Sequence, residues 1–297
     1  MIVFNRTTDF VAIIAPASKC DEAEEKLNKA QKLLSSQGLK SIFFPDIFSG
    51  DIFPFFAANK NIRLKNLQQA LLHPDVKIIW AFRGGYGCSQ IIFDCLDLSP
   101  VGTKILIGYS DITALHSLFN QHYKIPTLHA SVLTSVLSKQ QHDFDLIMNA
   151  LAGGEIKIKL EPVNVLDHHD VSGEIIGGNL TVFCNLLGTK LHPVTNDKIL
   201  LLEDVNESAY RIHRYLVHLK NAGIFDSLKA VIFADFIHKD QDIQQTIQHF
   251  CFSEINNIPA YHAGGIGHGI VNYPVVLGEL AWIKDQQLTV KNPFRLV

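Results

Sequence analysis

The chain has 297 residues, of which 47% are hydrophobic, and a formal net charge of -3. This length is enough for about two domains with buried cores. Scattered Lys and Arg argue against a nucleic-acid surface, and no apolar run approaches the roughly 20 residues of a membrane span. Asn5, Arg6 and Asp9 interrupt the N-terminal segment before it reaches the length of a signal peptide. We therefore expect a cytoplasmic globular protein with neither membrane nor nucleic-acid partners.

The cysteines and histidines do not form a recognisable metal or disulfide pattern. Five cysteines without a CxxC pair argue against a disulfide framework. None of the fourteen histidines has the spacing of a metal-binding motif. His168 and His169 stand beside Asp167 and Asp170, and this polar segment fits a solvated loop better than a metal site. We predict no metal and no cofactor.

The first half of the chain alternates short apolar runs with amphipathic segments. Apolar β-branched runs predict strands, and helical spacing of apolar residues predicts the helices between them. Strands are predicted at 11–15, 41–44, 76–82, 104–107 and 125–128, an aromatic loop at 45–56, and helices at 18–38, 61–72, 89–96, 112–119, 131–138 and 143–151. This alternation predicts a doubly wound parallel α/β sheet, which we assign to residues 1–155.

The second half is richer in predicted strands. Residues 156–172 first alternate apolar and polar side chains and then become polar, so we predict a crossover linker there. Residues 173–297 are predicted to form a β-rich α/β domain. Its predicted elements are strands at 173–178, 198–202 and 230–234, helices at 179–187, within 203–219 and at 246–252, and a closing hairpin at 278–290.

A glycine-rich loop, RGGYG at Arg83–Gly87, follows the strand predicted at 76–82. Clustered glycines let a ligand approach the backbone and leave N–H groups exposed. A phosphate or dinucleotide loop is the first interpretation, but the GxGxxG and Walker A spacings are absent. What remains is a glycine-rich loop at the carboxyl end of a strand, where α/β sheets bind ligands.

The sequence GYSD, residues 108–111, joins a predicted strand to a predicted helix. We expect Gly108 to adopt the unusual backbone angles of this tight turn and Ser110 to project at the carboxyl end of the strand. Helix capping is the alternative role for Ser110, because Ser and Asp are common at helix starts. The GxSxG motif of α/β-hydrolases is not met, since Ile112 occupies the position of its second glycine.

A nucleophilic serine needs a base, and the base needs a group that orients it. His268 lies between Gly267 and Gly269, and these glycines leave its imidazole room to reach across a cleft. Glu203 ends an apolar strand, where a carboxylate can be both desolvated and useful. Asp204 and Glu207 remain alternatives for the acid.

Together these motifs resemble the LD-carboxypeptidase family of serine peptidases. The resemblance rests on GYSD, on RGGYG about 25 residues before it, on LLLEDVNExxYRIxR at 200–214, and on GHGxxNxxxxLG at 267–278. VAIIAP near the start and GGNLxxxxxLLGT at 177–189 add support. The resemblance therefore covers nearly the whole chain in the family's order.

The resemblance implies a catalytic triad of Ser110, Glu203 and His268. It also implies a site between an amino-terminal parallel α/β domain and a carboxyl-terminal β-rich domain, often in a homodimer and without a metal. The implied substrates are murein peptides in the bacterial cytoplasm. The enzyme would remove their terminal D-Ala during cell-wall recycling.

Further site residues follow from this chemistry. Backbone N–H groups would hold the oxyanion, and Gly85 and Asp111 are the candidates. Arg83 is a candidate for binding the substrate's free carboxylate, although a structural ion pair is an alternative. Gly84 and Tyr86 of the same loop are expected to line the substrate.

Three other functions are alternatives to this one. A self-immunity peptidase of the same family would cleave a peptide-nucleotide antibiotic and would need an aromatic side chain to stack on adenine, whereas Trp80 and Trp282 lie in a predicted strand and the predicted hairpin. A non-catalytic binding protein would not need an intact triad. A glutamine amidotransferase would need Cys at position 110. The aromatic loop, residues 45–59, is expected to be a lid or a dimer surface.

Overall fold

The computed structural model describes residues 1–138, 141–164, 170–239 and 242–297. The strands in these ranges are β1 (Ile2–Phe4), β2 (Phe10–Ile14), β3 (Lys40–Phe43), β4 (Val76–Ala81), β5 (Ile105–Gly108), β6 (Thr127–His129), β7 (Ile156–Lys159), β8 (Glu161–Pro162), β9 (Val171–Asn179), β10 (Lys198–Val205), β11 (Ala230–Ile237), β12 (Ala260–His262), β13 (Val275–Leu277), β14 (Glu279–Lys284), β15 (Gln287–Val290) and β16 (Phe294–Leu296). The α-helices are α1 (Ala23–Ser36), α2 (Lys60–Leu72), α3 (Thr113–Ser117), α4 (Leu133–Ser138), α5 (Gln141–Leu151), α6 (Leu180–Cys184), α7 (Ala209–Asn221) and α8 (Ile243–Glu254).

The first sheet has the strand order β13-β6-β5-β4-β2-β3. Strands β2 to β6 are parallel, and β13 runs antiparallel to β6 at one edge. Alternate side chains of β4 point to opposite faces of the sheet. Trp80 packs with α1, α4 and α5 on one face, and Ile79 packs with α2 and α3 on the other. Burial on both faces explains why these strands read as continuous apolar runs. The predicted doubly wound parallel α/β sheet is confirmed.

The second sheet has the order β7-β15-β14-β9-β10-β11-β12-β8. Its centre, β9 to β12, is parallel, and its outer strands are antiparallel. The predicted closing hairpin is β14 and β15. Helices α6, α7 and α8 cover one face, and the other face shares a continuous apolar core with the first sheet. The predicted β-rich α/β architecture of the second half is therefore confirmed.

The domain boundaries predicted at 155 and 173 stay a prediction. Strand β7 lies inside the predicted linker and forms an edge of the second sheet. Strand β13, from the second half of the chain, joins the first sheet. Strands β1 and β16 also pair in parallel, which ties the two ends of the chain together.

Local structure departs from the sequence expectation in two places. The helix expected at 89–96 consists of two short 3₁₀ turns, Cys88–Gln90 and Ile92–Cys95. The helix after Ser110 begins with a 3₁₀ turn at Ser110–Ile112 and ends in a π-helical turn at Leu118–Tyr123. Within the described ranges, no helix is long and apolar enough to cross a membrane.

Candidate active site

Ser110 has a left-handed backbone, with φ of 62°. A non-glycine residue rarely adopts this conformation, and such strain concentrates at functional sites. The expectation that Gly108 adopts the unusual angles is wrong, because Gly108 does not have a positive φ. Gly108 is needed for a different reason: a Cβ there would lie 2.8 Å from Ile112 Cγ1. The turn therefore packs tightly at Gly108 and projects the strained Ser110.

The RGGYG loop lies directly against Ser110. A Cβ at Gly84 would be 3.2 Å from Ser110 Oγ. Ser18 holds the loop in place, because its N–H donates to the Gly84 carbonyl at 3.2 Å and its Oγ accepts from the Tyr86 N–H at 3.0 Å. The Gly85 N–H has no acceptor among the described residues. This N–H is therefore available to a ligand beside the serine.

Arg63, on α2, joins the segments around this loop, and the sequence analysis missed it. Its guanidinium is buried and donates to the carbonyls of Ala58, Pro16 and Gly87 at 2.8 to 2.9 Å. Burial lowers the pKa of this guanidinium. A Cβ at Gly87 would lie 2.5 Å from Arg63 Nη1, so glycine is required there. Arg63 thus fixes the aromatic loop and the glycine-rich loop relative to β2.

Glu203 and His268 are hydrogen bonded. Glu203 lies near the end of β10, one residue before the buried Asp204, and its carboxylate is fully buried. Its Oε2 lies 2.7 Å from His268 Nδ1. Gly267 is required for this approach, because a Cβ there would lie 2.7 Å from Glu203 Oε2. The bond leaves His268 Nε2 as the nitrogen that can exchange a proton with another group.

The two alternative acids have other roles. Asp204 accepts hydrogen bonds from Asn179 Nδ2 and from the N–H and Oγ1 of Thr181 at the start of α6. Burial, followed by the charge of Glu203, raises the pKa of Asp204 to about 6. Glu207 lies just before α7 and pairs at 3.2 Å with the exposed Arg211 of that helix. Glu203 is the carboxylate that contacts His268.

The loop that carries His268 is held by the first half of the chain. Asn272 Oδ1 accepts from the Gly267 N–H at 2.8 Å, and the Asn272 N–H donates to Asp143 Oδ1 at 3.2 Å. Ser131 Oγ donates to Asp143 Oδ2 at 2.5 Å. These four residues join α5 to the loop at 264–272, and their sequence positions give no local signal of the contact.

Tyr109 places Ser110 near His268. The rings of Tyr109 and His268 have centroids 4.5 Å apart, and Tyr109 directly precedes Ser110. The hydrogen bonds within the described ranges do not include one between Ser110 Oγ and His268. Catalytic hydrogen bonds often tighten only when substrate binds. Ser110 thus directly follows a residue whose ring contacts His268, and the hydrogen bond between His268 and Glu203 is already formed. The catalytic roles of these three residues stay a prediction.

The remaining predicted site residues surround Ser110. Asp111 is buried and its Oδ2 accepts from the Cys88 N–H at 2.8 Å, while burial raises the pKa of its carboxyl to about 6. Arg83 is exposed, and its Nη1 donates to the Lys19 carbonyl at 2.6 Å. This partner is a carbonyl. Among the described residues Arg83 makes no ion pair, so the alternative of a structural ion pair is not observed.

The exposed ring of Tyr86 contacts the aromatic loop. Its centroid lies 5.6 Å from that of Phe56 and 6.2 Å from that of Phe55. The aromatic loop therefore borders the predicted substrate side of Ser110. Its role as a lid or dimer surface stays a prediction.

The polar segment that includes Asp167, His168 and His169 lies outside the described residues. Elsewhere, within the ranges that the structure describes, no group of three His, Cys, Asp or Glu side chains is arranged to hold a metal ion.

Comparison with known proteins agrees with this fold. The LD-carboxypeptidase N-terminal and C-terminal domain families match residues 11–130 and 172–283. The murein tetrapeptide carboxypeptidase of Pseudomonas aeruginosa is 29% identical over 294 residues, covering 94% of this chain and 94% of that protein.

Solved structures show the same architecture. The crystal structure of muramoyltetrapeptide carboxypeptidase from Oxalobacter formigenes aligns with a TM-score of 0.80 at 25% identity, covering 94% of this chain and 98% of that chain. The microcin C7 self immunity protein MccF, in complex with aspartyl sulfamoyl adenosine, shares the fold with a TM-score of 0.77 at 16% identity, covering 97% of each chain. The two family matches span most of the sequence, and this chain belongs to the LD-carboxypeptidase family of serine-type carboxypeptidases.

Proposed function

We propose that this chain is an LD-carboxypeptidase that removes the terminal D-Ala from murein tetrapeptides in the cytoplasm, with Ser110, His268 and Glu203 as its triad. The observation that carries the proposal is the 2.7 Å bond between His268 Nδ1 and buried Glu203 Oε2, beside a strained serine. The names of the similar murein and muramoyltetrapeptide carboxypeptidases support the substrate class. Assembly as a homodimer is part of the proposal.

Acylation begins when His268 Nε2 accepts the Ser110 hydroxyl proton and Oγ attacks the carbonyl carbon before D-Ala. The carbonyl oxygen becomes an oxyanion, for which the N–H groups of Gly85 and Asp111 are the proposed donors. Imidazolium at His268 is stabilised by Glu203. The tetrahedral intermediate collapses as His268 returns the proton to the departing D-Ala amine, which leaves an ester on Ser110.

Deacylation repeats these steps with water as the nucleophile. His268 accepts a proton from the water as its oxygen attacks the ester carbonyl. The same backbone donors hold the second oxyanion. Collapse breaks the bond to Ser110 Oγ, which recovers its proton from His268, and the shortened peptide leaves with a free carboxylate.

Substrate binding is proposed to use the RGGYG loop. Arg83 is exposed on this loop, so its guanidinium can bind the terminal carboxylate of a peptide while Nη1 keeps its bond to the Lys19 carbonyl. Gly84 leaves room beside Ser110 Oγ for the scissile carbonyl. Tyr86 and the aromatic loop would cover the peptide on its exposed side.

The self-immunity function requires an aromatic side chain that stacks on adenine. Trp80 is fully buried, and its Nε1 donates to the Ser131 carbonyl, so it is not accessible. Trp282 lies on β14, where it pairs with Ser172 at the outer part of the second sheet. These placements remove both tryptophans as stacking partners, but Tyr86 and the aromatic loop border Ser110. The names of the similar carboxypeptidases, and not the aromatic side chains, therefore support the murein peptide as substrate.

The test is D-Ala release from purified murein tetrapeptide by the wild type and Ser110→Ala, each with EDTA present. We expect release by the wild type only. Equal release by Ser110→Ala would overturn the serine mechanism. A folded wild type that releases no D-Ala but cleaves a peptidyl-nucleotide would overturn the substrate assignment, and one that binds tetrapeptide without cleaving it would make the chain a binding protein.

A further inference from the structure

His129 is a buried histidine behind the candidate triad that the proposed mechanism does not use. It ends β6, opposite Gly108 of β5, and its side chain is fully buried. Neither of its ring nitrogens has a hydrogen-bond partner among the described residues. Buried polar groups are almost always hydrogen bonded in folded proteins, so an imidazole in this position needs an explanation.

His129 faces the unpartnered carboxylate oxygen of Glu203. His129 Nε2 lies 4.0 Å from Glu203 Oε1, and both side chains are fully buried. Glu203 Oε1 also has no partner within the described residues, whereas Oε2 bonds His268. An unpartnered ring nitrogen and an unpartnered carboxylate oxygen thus face each other. A movement of about 1 Å would bring them within hydrogen-bond distance.

The surroundings of His129 keep its imidazole neutral. Burial, followed by the charges that His116 and His268 can carry, lowers its pKa to about 3. The His116 ring lies 6.0 Å away, with its nitrogens on the Gly108 carbonyl and Thr127 Oγ1. A carbonyl only accepts, so His116 Nε2 carries the hydrogen. Its own pKa is lowered to about 4 by burial.

Two other ionisable groups complete these surroundings. The Tyr109 ring contacts His129 edge-on at 6.2 Å, and burial raises the pKa of its hydroxyl. Asp204, next to Glu203 in the chain, acts on the same carboxylate through its charge. Among these groups, His129 is the one whose ring nitrogen faces Glu203 Oε1.

We propose that His129 is a positioning residue for the Ser110 mechanism: its Nε2–H donates to Glu203 Oε1 and so fixes the carboxylate that orients His268. This inference rests on the proposed triad. With Oε1 held by His129 and Oε2 by His268, the carboxylate has one rotamer and one orientation. A neutral donor also stabilises the anion without competing for the catalytic proton.

A role in packing alone predicts something different. A leucine of similar volume would fill the same space and remove the two unsatisfied ring nitrogens. If packing were its only role, His129→Leu would keep full activity and an unchanged pH profile. The proposed role predicts a loss that a different hydrogen-bond donor repairs. His129→Gln supplies such a donor and is the matched variant.

The experiment titrates the His268 ring by NMR in the wild type, His129→Leu and His129→Gln, and measures kcat and KM against pH for each. Without the donor, the Glu203 carboxylate stabilises the protonated His268 ring more strongly, so His268 loses its proton at a higher pH. We therefore expect His129→Leu to raise the His268 titration midpoint and the acidic limb of kcat by at least about 0.5 pH unit. We expect kcat to fall about ten- to a hundredfold with little change in KM. We expect His129→Gln to restore most of the kcat and most of the His268 titration midpoint.

A second measurement uses the unmodified chain, in case His129→Leu does not fold. We expect nitrogen-15 spectra to show that Nε2 of His129 carries the ring hydrogen and that this hydrogen is protected from exchange with solvent. A hydrogen on Nδ1, or an unchanged midpoint and kcat in folded His129→Leu, would overturn the proposal. The NMR readouts need no substrate, so they stand even if the wild type releases no D-Ala, a result that would overturn only the proposed function.

Discussion

The proposed nucleophile and the proposed base are positioned in different ways. Ser110 takes its strained φ of 62° within a turn of a few residues, between β5 and the following 3₁₀ turn. His268 is positioned by groups far away in the sequence. Its acid, Glu203, is 65 residues away, and the contact of Asn272 with Asp143 spans 129 residues.

This difference has consequences for what a mutation does. A turn that is built from adjacent residues survives the loss of distant contacts but is sensitive to a single atom placed against it. A loop held by tertiary hydrogen bonds depends on each of them, because glycines at 264, 265, 267 and 269 give it little conformational preference of its own. We expect substitutions that remove a hydrogen bond of the base loop to change both stability and activity, and those around the serine to change activity.

Glu203→Gln gives the largest expected effect. The amide retains the size of the side chain but can no longer stabilise imidazolium at His268, so we expect kcat for D-Ala release to fall about 10⁴-fold. Steady-state kinetics on murein tetrapeptide measures this loss. Glu207→Gln is the matched control, because Glu207 pairs with Arg211 on the surface and should retain wild-type kcat. Comparable losses in both variants would contradict the assignment of Glu203.

Gly84→Ala tests the region around the nucleophile. The new Cβ would lie 3.1 Å from Ser110 Cβ and 3.2 Å from Oγ, so the serine or the loop must move. A displacement of this kind can cost about 10²-fold in rate, with little effect on thermal stability. Gly264→Ala is the control, since its Cβ would meet only His262 Cε1, at 4.0 Å. Wild-type kcat in Gly84→Ala would show that the RGGYG loop does not constrain Ser110.

Asn272→Ala tests the loop that holds the base. The substitution removes the acceptor for the buried Gly267 N–H, so we expect unfolding free energy to fall by about 1 to 3 kcal/mol. We also expect kcat to fall about tenfold, because His268 loses its fixed orientation.

Asn292→Ala provides the control for this loss of hydrogen bonds. Asn292 donates to the carbonyls of Ala150 and Gly154, away from the site. Its loss should lower stability while kcat stays at the wild-type value. Denaturant unfolding and kinetics on both variants make the comparison, and equal kcat in the two variants would contradict the positioning role of Asn272.

The contrast between local and distant contacts also explains what the sequence predicts well. The parallel sheet, the β-rich second half and the closing hairpin follow from local periodicity, and the structure confirms them. Glu203 and His268 could be named as candidates because a strand end and flanking glycines are local features, and the family resemblance favoured Glu203 over Asp204 and Glu207. Other residues could not be named, because each has a partner 47 to 141 residues away that becomes a neighbour only through tertiary packing: Arg63, Asn272, Asp143 and His129.

The smallest expected effect is the pH dependence of the free energy of unfolding that His129 causes. The pKa of His129 is lowered to about 3 by burial, whereas the unfolded chain takes up this proton near 6.5. The unfolded state therefore binds more protons below pH 6.5, and the free energy of unfolding falls as the pH decreases. Between pH 6.5 and 5.5, this one side chain should account for about 1 kcal/mol of that loss.

His129→Leu removes this contribution. The buried carboxyls of Asp111 and Asp204, whose pKa values are raised to about 6, gain stability as the pH falls and are present in both proteins, so they cancel in the comparison. Urea unfolding at pH 6.5 and 5.5 should therefore show a loss that is smaller in His129→Leu than in the wild type by about 1 kcal/mol. An identical loss in the two proteins would mean that His129 takes up a proton in the folded state over this range. A protonated His129 would then be paired with the Glu203 carboxylate by charge, and the neutral donor proposed above would be wrong.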